Sequence, residues 1–389
     1  MTGKKLLIWQ NQWSPAYPFL LKKLTEQLGV AGIDFDFFAF ENDIRLNYFD
    51  KKVREYYHSL PIVHNVDLKN YFGVIGEYER KGETKDVFKA FLSEGKKVFG
   101  YDYSSSDVHG LIIENITSYL PLPISHWLTT NKAHQRFVMK NSEKSGAQFS
   151  KAVGNLYFES AIRENQSIGD YLVFCANVCP TQDLNKRSHA LELCKPGTIK
   201  EIENTTGREV KIRLHPSHYA VYNYFMMDQK YYRGAAGSFP MSKFEGKIED
   251  FIRQEFDTRL DKIIPPVDAL DVTATCHAAV SSSPSAIPRE LILNGRNYLC
   301  VEDHIISDFM RNENKFFREN NGVPGYRFFP LIPERLIDVK NTNTWKERIC
   351  EMINNEPKFC DIYNTCQNIY RSESKDVSLD IAQTIANFC

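Results

Sequence analysis

The chain has 389 residues, the length of about two domains of ordinary size. Its 48 Lys and Arg residues are matched by 49 Asp and Glu residues and form no polybasic run, so the composition excludes a nucleic-acid-binding surface of the usual kind. Any anionic ligand must therefore be held by a local site. No segment approaches the ~20 apolar residues of a membrane span, and we expect a cytoplasmic protein, soluble or at most peripheral to a membrane. The 9 cysteines lack zinc-knuckle spacing, which favours reduced structural thiols.

Strand and helix signals alternate along the first half of the chain. Apolar or aromatic runs predict strands at Lys5–Gln10, Asp34–Phe40, Tyr71–Ile75 and Lys97–Tyr101. Helical spacing predicts helices at Phe19–Leu28 (ended by Gly29), Ile44–His58, Lys85–Glu94 (closed by Gly95) and along the polar stretch Lys132–Ser167. This alternation predicts an α/β fold with a parallel, helix-covered sheet.

The second half repeats the alternation. Strands are predicted at Tyr171–Asn177, Val210–Leu214, His277–Val280 and Tyr298–Val301. Helices are predicted at Ser188–Asn204 (interrupted by Pro196 and Gly197), Ser242–Leu260, Ile287–Leu293, Asn343–Asn354 and Val377–Phe388. The second half is therefore predicted to form an α/β unit of its own.

The strand Val210–Leu214 stops abruptly at His215-Pro216. Proline cannot donate to a strand ladder and favours extended geometry in the residue before it, so the strand presents a histidine at its carboxyl end. Ligands bind at that edge in open parallel sheets. A strand that simply happens to end in His-Pro is the other interpretation. Arg213, on the same strand, either pairs with a carboxylate or phosphate or is an ordinary basic strand residue.

A second candidate, Asp183, follows the strand Tyr171–Asn177 in a loop that also contains Gln182. A right-handed crossover to the strand at Val210 would place the two strand ends side by side, and with them Asp183 and His215. Structural roles remain open for both residues. Asp183 also fits a helix N-cap, and His215 also fits a histidine bonded to a backbone carbonyl.

A hydroxyl-rich turn follows the strand His277–Val280 and contains Ser281, Ser282, Ser283 and Ser285. Hydroxyl donors ahead of a helix N-terminus are the elements of a phosphate site, although serines also cap helices with no ligand bound. Glu290, in the helix Ile287–Leu293, is suited to accept hydrogen bonds from a ribose diol or, alternatively, to face solvent. Glu114, after the aliphatic run at residues 111–113, is suited to acid/base chemistry or to a cap or salt bridge.

The order of these motifs resembles the retaining β-Kdo transferases of capsule and lipopolysaccharide synthesis. Glu114 with Tyr119-Leu120-Pro121, then Gln182-Asp183, then His215-Pro216 stand in the order that family shows, and the likeness spans residues 113–303. His-Pro followed by a serine loop is also similar to bacterial sialyltransferases, whose Asp-Asp-Gly motif is absent here. The sequence departs from the Kdo family at Asn115 and at Leu120-Pro121.

The resemblance implies a GT-B-like α/β fold, with two Rossmann-like domains whose parallel sheets face a central cleft. The implied division is an N-terminal acceptor-side domain at 1–165 and a CMP-sugar-binding domain at 166–340. The remaining helices, in 341–389, are expected to pack back on the first domain. The expected activity is transfer of Kdo from CMP-β-Kdo to a saccharide or lipid-linked oligosaccharide acceptor in O-antigen or capsule synthesis. That activity would be located in the cytoplasm or at the inner membrane, alongside other polysaccharide-assembly enzymes.

The resemblance also implies residue roles. Asp183 is the expected nucleophile, Glu114 the acid/base, and His215 the group that stabilises charge on the departing CMP phosphate. The expected donor-binding residues are Gln182, Arg213, His215, Pro216, Ser281, Ser282, Ser283, Ser285 and Glu290. No metal or other cofactor is expected. Two alternatives remain: a different CMP-sugar transferase of sialyltransferase type, and a non-catalytic subunit of a polysaccharide synthase.

Overall fold

The structure is a computed structural model, and it describes the residues that carry most of the regular elements. These are residues 5–9, 17–38, 51–77, 83–101, 122–156, 159, 162–163, 166–176, 195–214, 262–264, 269–281, 287–301, 336–337, 345–354 and 376–389. They divide into two compact units, the first containing the described residues up to 159 together with 376–389, and the second those from 162 to 354.

The helices and strands are numbered in chain order. The strands are β1 (Lys5–Trp9), β2 (Phe35–Phe38), β3 (Ile62–Val63), β4 (Tyr71–Glu77), β5 (Lys97–Tyr101), β6 (His126–Thr129), β7 (Phe149–Ala152), β8 (Tyr171–Ala176), β9 (Glu209–Leu214), β10 (Ala278–Ser281), β11 (Asn297–Val301) and β12 (Leu336–Ile337). The helices are α1 (Tyr17–Val30), α2 (Lys51–Ser59), α3 (Glu83–Ser93), α4 (Lys132–Lys140), α5 (Ser142–Ser145), α6 (Pro196–Thr206), α7 (Ala269–Thr275), α8 (Ile287–Leu293), α9 (Trp345–Asn354) and α10 (Val377–Ala386), with a 3-10 turn at Leu68–Asn70.

The first unit is built on a seven-stranded sheet in the order β3-β2-β1-β4-β5-β6-β7, in which every pairing is parallel. The order 3-2-1-4-5-6 is that of a Rossmann sheet, here extended by β7. The four strands predicted in this half are confirmed. The prediction of a helical stretch from Lys132 to Ser167 is wrong at Phe149–Ala152, which pairs with β6 as a strand.

Helices α1 and α3 are each followed by a glycine with a positive φ, but after α1 it is not the glycine that the sequence predicts. Gly95 has a φ of 68° after α3, as the sequence predicts. Helix α1 instead runs through Gly29 to Val30, and the left-handed residue is Gly32, with a φ of 72°. A helix continues through a glycine whose φ is helical, and it stops where the left-handed conformation redirects the chain.

Strand β1 is apolar along its whole length because both faces of the sheet are covered. Leu6 and Ile8 lie in one buried cluster with α1 and α10, whereas Leu7 and Trp9 lie in a second cluster with Phe88 and Phe91 of α3. Successive strand residues point to opposite faces, so a strand buried on both sides needs an uninterrupted apolar run.

Helix α10 is held on this unit by a carboxylate at its N-terminus. Glu159 accepts hydrogen bonds from Lys23 Nζ at 2.8 Å, Val377 N at 2.9 Å and Ser378 Oγ at 2.9 Å. Asp376 caps the same helix by accepting from Leu379 N at 2.8 Å. Partial burial acts to lower the pKa of Lys23, but Glu159 and Asp376 outweigh it and raise that pKa. The N-terminal backbone N–H groups and helix dipole favour the negative charge of Glu159.

A buried histidine, His126, lies in an aromatic cluster that includes Phe388, just beyond the C-terminal end of α10. The ring of His126, which is 4% exposed, lies 4.9 Å from that of Phe99, 5.7 Å from that of Phe149 and 4.4 Å from that of Phe388. Its Nδ1 lies 2.9 Å from Ser125 Oγ. Burial, with a smaller contribution from the charge of Lys97, lowers the pKa of His126 to about 4. The ring is therefore neutral at physiological pH.

The second unit is built on a five-stranded sheet in the order β12-β11-β10-β8-β9, again with every pairing parallel. The four predicted strands and the helix Ile287–Leu293 are confirmed, and β12 is an addition. Pro196 begins α6 and does not interrupt a longer described helix. The predicted helix Ser242–Leu260 lies outside the described residues. Helix α9 packs on α6, β10 and β11 of this unit, whereas α10 packs on α1 of the first.

The predicted α/β fold with two Rossmann-like domains is thus confirmed by two parallel sheets with helices on them. Within the described residues, no helix is long and apolar enough to cross a membrane.

Glu159→Gln is expected to loosen α10. The amide still accepts from Val377 N, but the loss of the charge removes the Lys23 ion pair and the favourable term with the helix N-terminus, at a cost of about 1–3 kcal/mol. Hydrogen exchange of the α10 backbone should rise and the urea midpoint should fall. Glu26→Gln, an exposed change on α1, is the matched control and should shift neither. Equal behaviour of the two variants would contradict the role of Glu159.

His126 is expected to make the protein less stable as the pH falls from about 6.5 to about 4. The pKa of His126 is lower in the folded chain than in the unfolded chain, so between these two values the unfolded chain binds a proton at His126 and the folded chain does not. The free energy of unfolding therefore falls by up to about 3 kcal/mol across this window. His126→Phe suits the aromatic cluster and leaves Ser125 Oγ bonded to Val98. Urea titrations from pH 4 to pH 7.5 should show a shallower pH dependence for the variant than for the wild type. Parallel curves would refute the assignment.

Candidate functional site

Three neighbouring strands of the second sheet end at the same edge, and each is followed by one of the predicted motifs. β9 pairs with β8 up to Leu214 opposite Ala176, and β10 pairs with β8 up to Ser281 opposite Cys175. The chain leaves these strands towards His215, towards the loop of Asp183, and towards the serine turn. The prediction that the strands before Asp183 and His215 lie side by side is confirmed.

The central of these strands lies at the point where the sheet order reverses. From β8 the chain adds β9 on one side, and it then adds β10, β11 and β12 on the other. Numbered from β8, this is the doubly wound order 2-1-3-4-5, in which ligands bind beyond the carboxyl ends of the two strands at the switch point. Those strands are β8 and β10, so the connections that carry Asp183 and the serines begin at the switch point.

One cross-strand row beneath this edge carries Arg213, Cys175 and Ser281. They are register neighbours on β9, β8 and β10, so their side chains share a face of the sheet, and all three are buried. Burial raises the pKa of Cys175 to about 12, an increase that Arg213 reduces and Glu290 adds to. The Cys175 thiol is therefore protonated at neutral pH and is no candidate nucleophile.

A buried ion pair lies over this row. Arg213 Nη1 is 2.6 Å from Glu290 Oε2, and Nη2 is 3.5 Å from Glu290 Oε1. Arg213 Nη1 also donates to Thr273 Oγ1 at 3.1 Å, which joins α7 to the pair. Arg213 is 8% exposed and Glu290 is 2% exposed, so little of either charge reaches water. The pair connects β9 to both helices that cover this face, α7 and α8.

A second set of contacts holds α7 on the same face nearer the amino end of the strands. The hydroxyl of Tyr171, the first residue of β8, donates to Val272 O at 3.0 Å and lies 2.6 Å from Thr275 Oγ1. Lys211 Nζ lies 4.0 Å from the centre of the Tyr171 ring. Helix α7 is thus bonded to the sheet from its middle to its C-terminal end, which holds Thr273 beside Arg213.

The structure describes three of the predicted site residues. Arg213 pairs with a carboxylate, one of its two predicted alternatives; Glu290 is buried, so the alternative of a solvent-facing residue is wrong; and Ser281 is the buried last residue of β10. The other predicted residues lie outside the described ranges: Glu114, Gln182, Asp183, His215, Pro216, Ser282, Ser283 and Ser285.

Thr273 is the polar residue near this edge that sequence reasoning missed. It stands in a run of small residues, Thr273-Ala274-Thr275, that carries no motif, and its importance depends on where α7 packs. The described part of the chain contains no group of three or more His, Cys, Asp or Glu side chains suited to hold a metal ion.

A Rossmann-type sheet followed by a second doubly wound sheet in one chain defines a GT-B-like protein, and the predicted fold class is confirmed. The Medicago truncatula protein UGT71G1, complexed with UDP-glucose, has a TM-score of 0.52 at 10% identity, with 100% of this chain and 98% of that chain covered.

Two further solved structures are similar at lower TM-scores. UDP-GlcNAc 2-epimerase from Neisseria meningitidis, bound to UDP-GlcNAc, has a TM-score of 0.49 at 10% identity over 99% of both chains. A UDP-glucosyltransferase from Polygonum tinctorium has a TM-score of 0.48 at 10% identity over 99% of this chain and 98% of that chain. No protein-family model matches the sequence, and no curated protein does. The likeness therefore concerns the fold alone.

Removing either partner of the Arg213–Glu290 pair is expected to destabilise the second unit strongly. Arg213→Met or Glu290→Leu leaves a buried charge without its counter-ion, at a cost of about 3–5 kcal/mol, whereas the double replacement leaves no charge and should cost less than either single change. Chemical denaturation of all four proteins measures this coupling.

The matched control is Lys262→Met, which breaks the more exposed Lys262–Glu203 pair of the same unit and should cost about 1 kcal/mol or less. Additive costs in the Arg213 and Glu290 double variant would contradict the coupling.

Proposed function

We propose that the protein is a retaining glycosyltransferase that moves Kdo from CMP-β-Kdo to a saccharide acceptor in the synthesis of a bacterial surface polysaccharide, such as an O-antigen or capsule. The observation that carries the proposal is the adjacency of β9, β8 and β10. The strands that precede His215, Asp183 and the serine turn end at one edge of the sheet, and two of them, β8 and β10, end at its switch point. Nucleotides occupy that position in doubly wound sheets.

The donor phosphate is assigned to the segments after β9 and β10. His215, through a ring N–H, and the hydroxyls of Ser282, Ser283 and Ser285 supply donors to the phosphate oxygens, and the N-terminal N–H groups of α8 add to them. These groups stabilise the negative charge that grows on CMP as the glycosidic bond breaks. The proposal therefore needs no metal ion to neutralise the leaving group.

The chemistry is a double displacement. A carboxylate oxygen of Asp183 attacks the anomeric carbon of Kdo and forms an ester to the sugar, while the bond to the phosphate oxygen breaks and CMP leaves with the electron pair. Glu114 then takes the proton of the acceptor hydroxyl, whose oxygen attacks the same carbon and displaces Asp183. Two inversions give net retention. Gln182, next to Asp183, is assigned to the donor.

The class of donor is supported by a protein of similar fold. The Medicago truncatula protein of similar fold is complexed with UDP-glucose, which supports a nucleotide sugar as the ligand class and leaves the base and the sugar to experiment. A sialyltransferase-like enzyme would share the His-Pro and serine segments without using Asp183 as nucleophile. Hydrolysis measured with CMP-Kdo, CMP-sialic acid and UDP-glucose separates these donors.

Intact-protein mass spectrometry with CMP-Kdo generated in situ tests donor and mechanism together. The wild type should gain the mass of one Kdo residue, and Asp183→Asn and Asp183→Ala should gain none. The matched control is Asp170→Asn, which directly precedes β8 and lies about 20 Å along the strand from its carboxyl end, and it should gain the adduct like the wild type.

The outcomes are distinct. If the wild type binds CMP but gains no adduct, Asp183 is not the nucleophile. That result would favour an inverting or sialyl-type transferase. Binding of CMP without turnover of any nucleotide sugar would instead favour a non-catalytic subunit of a polysaccharide synthase.

A further inference from the structure

We propose that Arg213 and Glu290 act as a positioning pair that holds two segments, the carboxyl end of β9 and the first turn of α8, at a fixed spacing. The inference rests on the proposed function, in which the residues that follow β9 and precede α8 bind the leaving nucleotide. In this role both residues fix the position of neighbouring donor-binding residues and do not contact the donor themselves.

The sheet alone does not connect the two segments directly. β8 lies between β9 and β10, so β9 makes no backbone hydrogen bond to β10, and their ends are roughly 10 Å apart. Glu290 belongs to the first turn of α8, the helix that follows the serine turn. Arg213 stands one residue before the end of β9 and two before His215. The ion pair spans the width of β8 and joins the two segments side chain to side chain.

The geometry of the pair suits a positioning role. Two guanidinium nitrogens face the two carboxylate oxygens, at 2.6 Å and 3.5 Å, and Thr273 accepts a further hydrogen bond from the first nitrogen. A planar fork facing a carboxylate restrains direction as well as distance, which a single ammonium group does not. The partners lie on three elements, β9, α7 and α8, so a shift of any one of them disturbs the others.

The burial of Arg213 and Glu290 favours a positioning role over direct contact with the donor. With 2% of Glu290 and 8% of Arg213 exposed, neither offers a surface on which a ribose or phosphate could lie, and both carboxylate oxygens of Glu290 face Arg213. Replacing a buried ion pair by apolar residues of similar size often costs little net stability. The role that we assign to this pair is instead to fix one arrangement of β9 and α8. Apolar replacements should therefore restore stability without restoring the arrangement.

Hydrogen exchange tests the coupling without reference to any ligand. Glu290→Gln should raise exchange in peptides covering residues 209–214 of β9, across β8, and Arg213→Lys should raise it in peptides covering residues 287–293 of α8, each by about five-fold. The double variant Arg213→Met with Glu290→Leu should recover the wild-type urea midpoint and keep both increases. Glu201→Gln, which breaks the pair with Lys346 between α6 and α9, should raise neither.

Nucleotide binding supplies the second readout. In Glu290→Gln the dissociation constants of CMP and 2′-deoxy-CMP should rise together by about ten-fold, because the whole site is displaced. A loss for CMP alone would show a direct contact with the ribose and overturn the positioning role. So would unchanged exchange in the segment across β8, or full recovery of exchange in the apolar double variant.

Failure of the proposed function is recognised separately. If the wild type neither binds CMP nor hydrolyses CMP-Kdo, the donor assignment falls, and the exchange of β9 (209–214) and α8 (287–293) alone decides the positioning role. If a single variant does not fold, the apolar double variant, which leaves no unpaired charge, carries the test.

Discussion

Parallel pairing is the constraint on which both units depend. Every strand pair in the described residues is parallel, and a parallel pair requires a crossover of a dozen or more residues between its strands, which here is usually helical. Helices therefore cover both faces, and inner strands such as β1 and β8 are apolar on both sides. The same constraint sends all strand carboxyl ends of a sheet to one edge, so motifs far apart in sequence become neighbours without any contact of their own.

A sheet covered on both faces leaves each buried polar side chain few choices. Asp36 on β2 accepts from Lys5 Nζ at 2.8 Å and from the Tyr71 hydroxyl at 2.9 Å, and burial together with Asp36 raises the pKa of that tyrosine. His126 meets the constraint by staying neutral, and Arg213 meets it by pairing with Glu290. Each solution costs less than an unpaired buried charge.

The proposed active site, at the carboxyl edge of the second sheet, depends both on the shared edge of the parallel strands and on the pairing of buried polar groups. Its proposed nucleophile and phosphate donors are assigned to segments that follow β8, β9 and β10. Strands β8 and β10 end at the switch point, where the connections run in opposite directions and leave a crevice for a ligand. Its support lies one layer below, in the row Arg213, Cys175 and Ser281 and in the helices fastened over it. A transferase of this type needs phosphate donors and a nucleophile at defined separations, and separations set by backbone register and a buried fork vary little with thermal motion.

Local signals were sufficient for much of the fold. The strand Lys97–Tyr101 and the helix Ile287–Leu293 have the bounds that the sequence predicts. Gly95 precedes the strand and Gly295 follows the helix, and each takes a positive φ that redirects the chain. The alternation of strands and helices also predicted the α/β class, and the handedness of crossovers predicted that β9 lies beside β8.

Tertiary structure decided what local signals do not contain. β6 and β7 are short, and the Phe149–Ala152 segment is only partly buried; it is a strand because β6 offers it an edge to pair with. Nothing in the sequence near Glu290 distinguishes a solvent-facing helix residue from a buried one. That distinction arises when β9 places Arg213 beneath α8, because a buried charge is tolerated only where the fold brings its partner.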